Sequence, residues 1–266
     1  MHKIKEMVDE LYKNHPVFTQ LAEYVNFYKK LSFSIFGFVT LGTKTIHNID
    51  SYVYSSIQGT LESIRDILIK GRINDAYALL RKYYDSVIIN IYTMLYLKDN
   101  ISIENFVVEK IDKWVKGEEK LPPYRIMSQY IRKSEKVSKL NKLIYQDNRY
   151  KNIRDRCNDH IHYNFFRNIL CNDNEIYIRN RLKLLDVFSR DLENIFILHF
   201  AYIFYVNDHY MMSSDYVDYL DCGLTPEEGS QYWVAPFIQK VFQEVIKKKR
   251  NDIAELIKNE TTMELL

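Results

Sequence analysis

Residues 43–98 read TKTIHNIDSYVYSSIQGTLESIRDILIKGRINDAYALLRKYYDSVIINIYTMLYLK, and their apolar positions recur every three or four residues. That period is typical of amphipathic helices rather than of strands. It predicts one helix from Thr43 to Lys70 and a second from Arg72 to Lys98. Gly71 stands between them as a C-cap, and the short connection makes the two helices an antiparallel pair.

The same period continues along the chain, which has only 7 glycines and 5 prolines to interrupt it. We therefore predict an all-α fold, a helical bundle with extra helices at both ends. A helix that is apolar nearly all round, between Ile195 and Val206, should lie at the centre of the bundle. The further predicted helices are Ile103 to Lys116, about Tyr124 to Leu143, about Tyr150 to Leu170, and about Ile178 to Tyr210.

The residue patterns at both ends of the chain differ from the pattern of this middle part. The first forty residues predict one or two helices, broken at His15-Pro16 and loosened by two glycines. After Met211, the string Thr225-Pro226-Glu227-Glu228 has the residues of a helix N-terminus and predicts a final helix to about Lys258. We divide the chain accordingly into a helical extension (1–42), a helical bundle (43–210) and a helical appendage (211–266).

Composition limits the class of protein. The 266 residues are 47% hydrophobic and 27% charged, enough for one large domain or one domain with an appendage. The run Ile195 to Val206 is too short to cross a bilayer, and the charged start of the sequence lacks a signal-peptide pattern. The three cysteines have no paired spacing, so we expect reduced thiols and a cytoplasmic location.

Charge is concentrated in one segment. Between Lys110 and Arg156 there are 14 lysines and arginines against 6 acids, about +8 in a chain whose total is +2. Such a segment can follow a nucleic-acid backbone, with interleaved tyrosines stacking on bases, or it can be a solvated outer face. The candidate RNA-binding residues are Lys133, Lys136, Lys139, Lys142, Arg149 and Lys151.

One short cluster has the residues of a catalytic site. Residues 154–164 read RDRCNDHIHYN, with two arginines and two histidines within nine positions. An arginine holds a phosphate with two hydrogen bonds, and a histidine exchanges a proton near neutral pH. Two pairs share a spacing of five intervening residues: Arg156 with His162, which we prefer, and Arg154 with His160. Asn158 and Asp159 could orient a histidine or bind near the phosphate.

This spacing within a helical bundle resembles the HEPN superfamily (higher eukaryotes and prokaryotes nucleotide-binding), whose active members carry an R-x(4–6)-H motif. The family favours a polar residue after the arginine, as in Arg154-Asp155, and an aliphatic residue before the histidine, as in Ile161-His162. Each pair in this chain therefore meets only one preference. The segment Gly71 to Arg81 also looks like the second helix of bacterial relatives, and the resemblance covers about residues 43–210.

The resemblance implies a metal-independent endoribonuclease that leaves a 2′,3′-cyclic phosphate and a 5′-hydroxyl. It also implies a homodimer with a composite site, single-stranded RNA or tRNA as substrate, and a role as a toxin or antiviral effector with an antitoxin or other regulatory protein as a further partner. From the residues themselves we expect no cofactor, because the sequence lacks a Gly-rich phosphate loop, HExxH and GxSxG.

Two alternatives stay open. His160 and His162, with Cys157 or Asp159, could bind zinc, although no fourth ligand cluster is visible in the sequence. A helical module without catalytic activity could instead bind RNA or a partner protein, and such a module would tolerate the loss of either arginine–histidine pair.

Overall fold

A computed structural model of the chain describes residues 9–38, 49–102, 107–172 and 180–266. The described residues are predominantly helical, with an isolated β-bridge between Met212 and Val234 and no extended strand, which confirms the all-α class. The helices are α1 Glu10–Lys13, α2 Val17–Phe38, α3 Ile49–Ile69, α4 Ile73–Asn100, α5 Glu109–Val115, α6 Tyr124–Lys133, α7 Ser138–Ile144, α8 Arg149–Ile161, α9 Phe166–Leu170, α10 Arg181–Val206, α11 Asp215–Asp221, α12 Pro236–Val241, α13 Lys247–Lys249 and α14 Asn251–Glu260.

The chain forms two compact units, each built from separated segments. The first unit comprises Met1–Lys29, Val53–Val87 and Asp147–Phe196; the second comprises Lys30–Tyr52, Ile88–Gln146 and Ile197–Leu266. This division follows packing, whereas our division into 1–42, 43–210 and 211–266 follows the order of the sequence and stays a prediction. In the part of the chain that is described, no helix is both long enough and apolar enough to cross a membrane.

Tyrosines supply much of the core of the first unit. Tyr24 stacks on Phe196 with ring centroids 3.8 Å apart, and the hydroxyls of Tyr28 and Tyr83 are joined by a 2.8 Å hydrogen bond. The Tyr12 hydroxyl donates to the carbonyl oxygen of Leu68 at 2.9 Å. A buried tyrosine contributes its large apolar ring only if its hydroxyl finds a partner, and these three hydroxyls all do.

The turn between α3 and α4 has the geometry that the sequence predicts. Gly71 has φ +77°, its N–H donates to Leu68 O at 2.8 Å, and the next N–H, of Arg72, donates to Ile67 O at 3.3 Å. This pair of bonds is the Schellman arrangement, which satisfies carbonyls that would otherwise be unpaired at the helix end. The predicted C-cap is therefore confirmed.

The second unit is built around the apolar half of α10. Every residue from Ile195 to Val206 except Tyr205 is buried, as the sequence predicts for a central helix. Phe200 and Phe204 pack edge to face with centroids 4.6 Å apart. In the same unit, α12 and α13 are joined without interruption by a π-helical segment, Phe242–Ile246. Its two end residues are both buried.

Three predicted helices are shorter than the sequence suggests. The helix predicted from Ile103 begins at Glu109, and residues 103–106 lie outside the described residues. The helix predicted from Tyr124 to Leu143 is interrupted at Ser134, where the backbone is extended. The helix predicted from Tyr150 to Leu170 ends at Ile161, and residues 162–165 form a turn before α9.

The prediction of one final helix from Thr225 to Lys258 is wrong. Its first part is irregular because the backbone pairs elsewhere: Ser213 N donates to Trp233 O, and Ala235 N donates to Met211 O, both at 2.8 Å. These bonds hold the segment before α12 in an extended conformation. Pro236 then opens the helix, at the position where a missing N–H costs nothing.

Two glycine substitutions test the role of Gly71. Gly71→Ala should lower the free energy of unfolding by about 1–2 kcal/mol, because alanine is strained at a left-handed φ. Gly59→Ala is the matched control: Gly59 lies exposed within α3, and nothing lies within 4 Å of an added Cβ. It should raise stability by about 0.5–1 kcal/mol. Urea unfolding of both variants measures this, and equal effects would contradict the cap assignment.

Candidate functional site

Helix α8 carries most of the arginine–histidine cluster and turns one side into the first unit. Its buried residues are Tyr150, Ile153, Cys157 and His160, spaced at three, four and three residues. This spacing places them on one stripe of a helix. The stripe decides which histidine enters the core: His160 is only 6% exposed, whereas His162, at the C-cap, lies in the exposed turn.

His160 is held on two sides by α4. Its ring stacks on Tyr77, with centroids 4.0 Å apart and planes within 10°. The Asn74 side-chain amide satisfies its neighbours only when its nitrogen faces α8, where it donates to His160 Nδ1 at 2.8 Å. In that orientation Nδ1 is an acceptor, so the ring proton is on Nε2.

Burial sets the protonation state of His160. Removal from water, together with the positive charges of Arg167 and Arg156, lowers the pKa of His160 to about 4, against the opposing charge of Asp159. The imidazole is therefore neutral at physiological pH. A histidine that is buried and fixed in this way suits a structural role better than proton exchange with a substrate.

Arg156 is anchored by a buried carboxylate. Its Nε and Nη2 donate to Asp191 Oδ2 and Oδ1 at 2.7 and 3.0 Å, a bidentate pair between α8 and α10. The Asp191 side chain is 5% exposed and that of Arg156 is 38% exposed. Burial raises the pKa of Asp191, although the hydrogen bond from Arg156 acts in the opposite direction. A guanidinium has five N–H groups, so three remain for another acceptor.

A face of α4 that sequence analysis did not select completes this cluster. Asn74 and Tyr77 contact His160, and one turn further Arg81 donates from Nη1 to Asn158 Oδ1. Arg81 Nε also contacts both oxygens of Asp85 at 3.0 Å. These α4 residues are spaced at three and four positions, which places them on one face of a helix. The sequence shows this spacing, but it does not show that this face of α4 contacts α8 and α10.

Asp159 shapes the turn that carries His162. Its side chain accepts from Asn164 Nδ2 at 2.8 Å, and its carbonyl oxygen accepts from Asn168 Nδ2 at 2.8 Å. Tyr163 adopts φ +49°, a left-handed conformation that is uncommon for a residue other than glycine. The turn is therefore a defined structure, and Asp159 holds it closed beside His162.

The structure treats the two arginine–histidine pairs differently. His162 is exposed whereas His160 of the other pair is buried, while Arg154 and Arg156 are both half-buried, so the two pairs differ in their histidines and not in their arginines. Arg156 and His162 are six residues apart, about 9 Å along a helix axis and on different sides of it. Helix geometry within one chain therefore does not aim both side chains at one small point.

Large apolar side chains surround His162 in sequence and are exposed. Phe166 is 72% exposed, and the others of this set are between 38% and 49% exposed. We call this set the α8–α9 apolar surface: Ile161, Tyr163, Phe165, Phe166 and Ile169. Several exposed large apolar side chains close together in sequence are a feature of interaction sites.

Most of the candidate RNA-binding residues are paired with acids. In the second unit, Lys136 contacts Asp99 at 2.7 Å and Lys139 contacts Glu260 at 2.7 Å, while Lys133 and Lys142 are exposed. In the first unit, Arg149 pairs with Asp147 at 2.8 Å and Lys151 with Asp155 at 2.6 Å. Four of the six cations thus have carboxylate partners, which weakens the field that each would offer to a phosphate.

In the ranges of the chain that the structure describes, no three His, Cys, Asp or Glu side chains converge as the ligands of a metal ion would. Comparison of the chain with protein-family models, curated proteins and solved structures found no match. The HEPN resemblance therefore rests on the residues of this chain alone and stays a prediction.

Acid should destabilise the protein through His160. An unfolded histidine has a pKa of about 6.5, so the unfolded chain binds the extra proton at a pH where the folded chain does not. Stability is therefore complete above pH 6.5 and falls as the pH falls toward 4, the pKa in the fold. Between pH 7 and pH 5, this difference amounts to about 2 kcal/mol.

Urea unfolding at both pH values, on wild type and His160→Phe, measures this effect. Phenylalanine keeps a ring against Tyr77 but does not titrate. The variant should lose about 2 kcal/mol less than wild type on going to pH 5. Other titrating groups act equally in both proteins, so an equal loss in the two would show that His160 is not the group responsible.

Proposed function

We propose that this protein is a cytoplasmic, metal-independent endoribonuclease in which His162 transfers protons and Arg156 stabilises the phosphate. The observation that carries the proposal is the contrast within the motif: His162 is exposed in a fixed turn, and Arg156 is anchored with three N–H groups to spare. Arg154, Asn158, His160 and Asp159 then act as supports of this pair.

The chemistry is transesterification. The RNA 2′-oxygen attacks the adjacent phosphorus, its proton passes to a base, and the bond from phosphorus to the 5′-oxygen breaks as that oxygen gains a proton. The products are a 2′,3′-cyclic phosphate and a 5′-hydroxyl. A neutral imidazole serves as the base and an imidazolium as the acid, while the guanidinium stabilises the charge that accumulates on the phosphate oxygens.

One histidine cannot be base and acid simultaneously, so the proposal includes a homodimer. A two-fold interface would bring two copies of His162 and Arg156 to one site. The α8–α9 apolar surface is the part of the first unit that we assign to this interface, because it adjoins His162 and is otherwise in contact with water. An antitoxin or other regulatory protein could silence the enzyme by covering the same surface.

The substrate that we propose is single-stranded RNA or tRNA. Lys133 and Lys142 are the exposed candidates for phosphate contacts, whereas Lys136, Lys139, Arg149 and Lys151 would have to exchange carboxylate partners for phosphates. An enzyme of this class would act as a toxin or an antiviral effector that arrests growth by destroying RNA.

A second candidate function is a helical module that binds RNA or a protein without cleaving it. The bidentate bond between Arg156 and Asp191 favours it, because that bond gives the arginine a structural task that needs no substrate. In that case the α8–α9 apolar surface would be a docking face, and His162 would have no chemical role.

Cleavage assays in EDTA separate the two candidates. Wild type should cut labelled single-stranded RNA or tRNA, and His162→Ala should reduce the rate by roughly 100-fold or more. His209→Ala is the matched control, since His209 is also exposed but lies in the second unit. Both variants should stay within about 0.5 kcal/mol of wild-type stability.

Two further measurements complete the cleavage assay: identification of the product ends, and the cleavage rate of the Arg156→Lys variant. A 2′,3′-cyclic phosphate end identifies the reaction, and Arg156→Lys keeps the charge opposite Asp191 while losing the bidentate grip. If RNA is bound but left intact by every protein, the binding module is the better description. If His162→Ala cuts as fast as wild type, His162 is not the catalytic histidine.

Self-association tests the interface. Phe166→Glu places a charge within the α8–α9 apolar surface and should weaken dimerisation at least tenfold, with loss of cleavage, since burying an unpaired charge is costly. Phe33→Glu is the matched control, because Phe33 is 80% exposed and belongs to the second unit. Sedimentation at micromolar concentration gives the answer; a Phe166→Glu dimer as tight as wild type would contradict this interface.

A further inference from the structure

The second unit contains a cavity of about 310 Å³ that is lined by both polar and apolar residues. Its polar part includes Asp50, Lys98 and Tyr210, while its apolar wall includes Ile49, Met94 and Leu97. The volume lies at the lower end of the range for small-molecule sites. Concave shape, apolar walls and a few convergent polar groups are the features of a binding site for a small ligand.

Asp50 is fixed from behind by a buried relay of hydrogen bonds. His199 Nε2 lies 2.8 Å from Asn90 Oδ1, and Asn90 Nδ2 donates to Asp50 Oδ1 at 2.7 Å. Tyr210 donates its hydroxyl to Asp50 Oδ2 at 2.9 Å. Asn90 and His199 are completely buried, so the carboxyl group is positioned by groups that cannot turn toward water.

These bonds leave Asp50 with unused capacity. A carboxylate offers about four lone-pair positions, and among the described residues Asn90 and Tyr210 occupy two of those of Asp50. Burial raises the pKa of Asp50 to about 6, even though the bonds from Tyr210 and Asn90 lower it. A carboxylate in such a place gains from a cationic ligand that replaces the lost water.

Lys98 supplies the opposite charge to the same cavity. Its amine donates to the carbonyl oxygen of Val206, and an ammonium has two further N–H groups. Lys98 and Asp50 thus have separate protein partners, and each faces the same small space. A cation and an anion at two positions on one apolar cavity complement a ligand that carries both charges.

We infer that this cavity binds a small zwitterion with an aliphatic body, of the kind represented by an aliphatic α-amino acid. The ammonium group would bind Asp50, the carboxylate would bind Lys98, and the side chain would lie against Ile49, Met94 and Leu97. A purely cationic ligand would be repelled by Lys98 and a purely anionic one by Asp50. The inference is independent of RNA cleavage, because every residue that it uses belongs to the second unit.

Titration calorimetry on the full chain tests the ligand class. L-leucine should bind saturably at micromolar to millimolar concentration. Leucinamide, which lacks the carboxylate, and isocaproate, which lacks the ammonium, should each bind about tenfold more weakly or worse, since each loses a charge-assisted hydrogen bond. L-aspartate, with a charged side chain, should not bind measurably, because its side chain would be buried among apolar groups.

Two substitutions assign the ends of the ligand. Asp50→Asn should remove the preference for leucine over isocaproate, and Lys98→Met should remove the preference for leucine over leucinamide. Lys142→Met is the matched control, an exposed lysine in the same unit that does not line the cavity. It should bind leucine like wild type.

The comparison of these ligands on the wild-type protein tests the inference even if a variant fails to fold. Absence of saturable leucine binding to wild type overturns the inference. Equal binding of leucine, leucinamide and isocaproate also overturns it, because the two charges would then play no part. If folded Asp50→Asn binds leucine and still prefers leucine over isocaproate, Asp50 is not part of the site.

Discussion

The buried carboxylate of Asp191 ties α8 to α10 within the first unit. It lies almost wholly out of water, and Arg156 gives it two hydrogen bonds that fix the rotation of α8 against α10. Removing one partner from a buried ion pair typically costs 3–5 kcal/mol, roughly as much as a small protein can lose. With this rotation set, Cys157 and His160 face inward, and His162 is left at the surface. This ion pair, the buried stripe of α8 and the stacking of His160 on Tyr77 together set which side of the motif faces water.

Features that depend on local sequence could be predicted, and features that depend on distant partners could not. The helical stripes within residues 49–98, the Gly71 cap and the break at His15-Pro16 follow from periodicity and backbone chemistry, and all three are present, while the predicted start at residues 43–48 lies outside the described residues. Thr225-Pro226 has equally good local chemistry, yet backbone pairing of Met211 and Ser213 with residues near Trp233 overrides it. The same limit applies to the site: spacing predicted the Arg156–His162 pair, but not that Asp191 would bind Arg156 or that Tyr77 would stack on His160.

The basic segment shows why a charge count is a weak guide to a surface. The sequence places about eight net positive charges between Lys110 and Arg156, and two of its lysines are paired with carboxylates from outside that segment, Asp99 and Glu260. Glu260, which pairs with Lys139, is more than a hundred residues away in sequence. A nucleic acid approaching this segment would compete with the protein's own acids. Any affinity would then depend on the exchange of ion pairs rather than on a preformed electropositive face.

The π-helical turn between α12 and α13 bears on how the chain can change in length. A residue inserted into an α-helix rotates everything beyond it by about 100°, which would carry a buried face into water. A widened turn absorbs the extra residue locally. Phe242 and Ile246 are both buried across this turn, and Ile253 and Ile257 of α14 remain buried beyond it. This is therefore a position where a single residue can be gained or lost while Phe242 and Ile246 stay on the buried side, whereas the direction of α14 is set separately, after the non-helical Arg250.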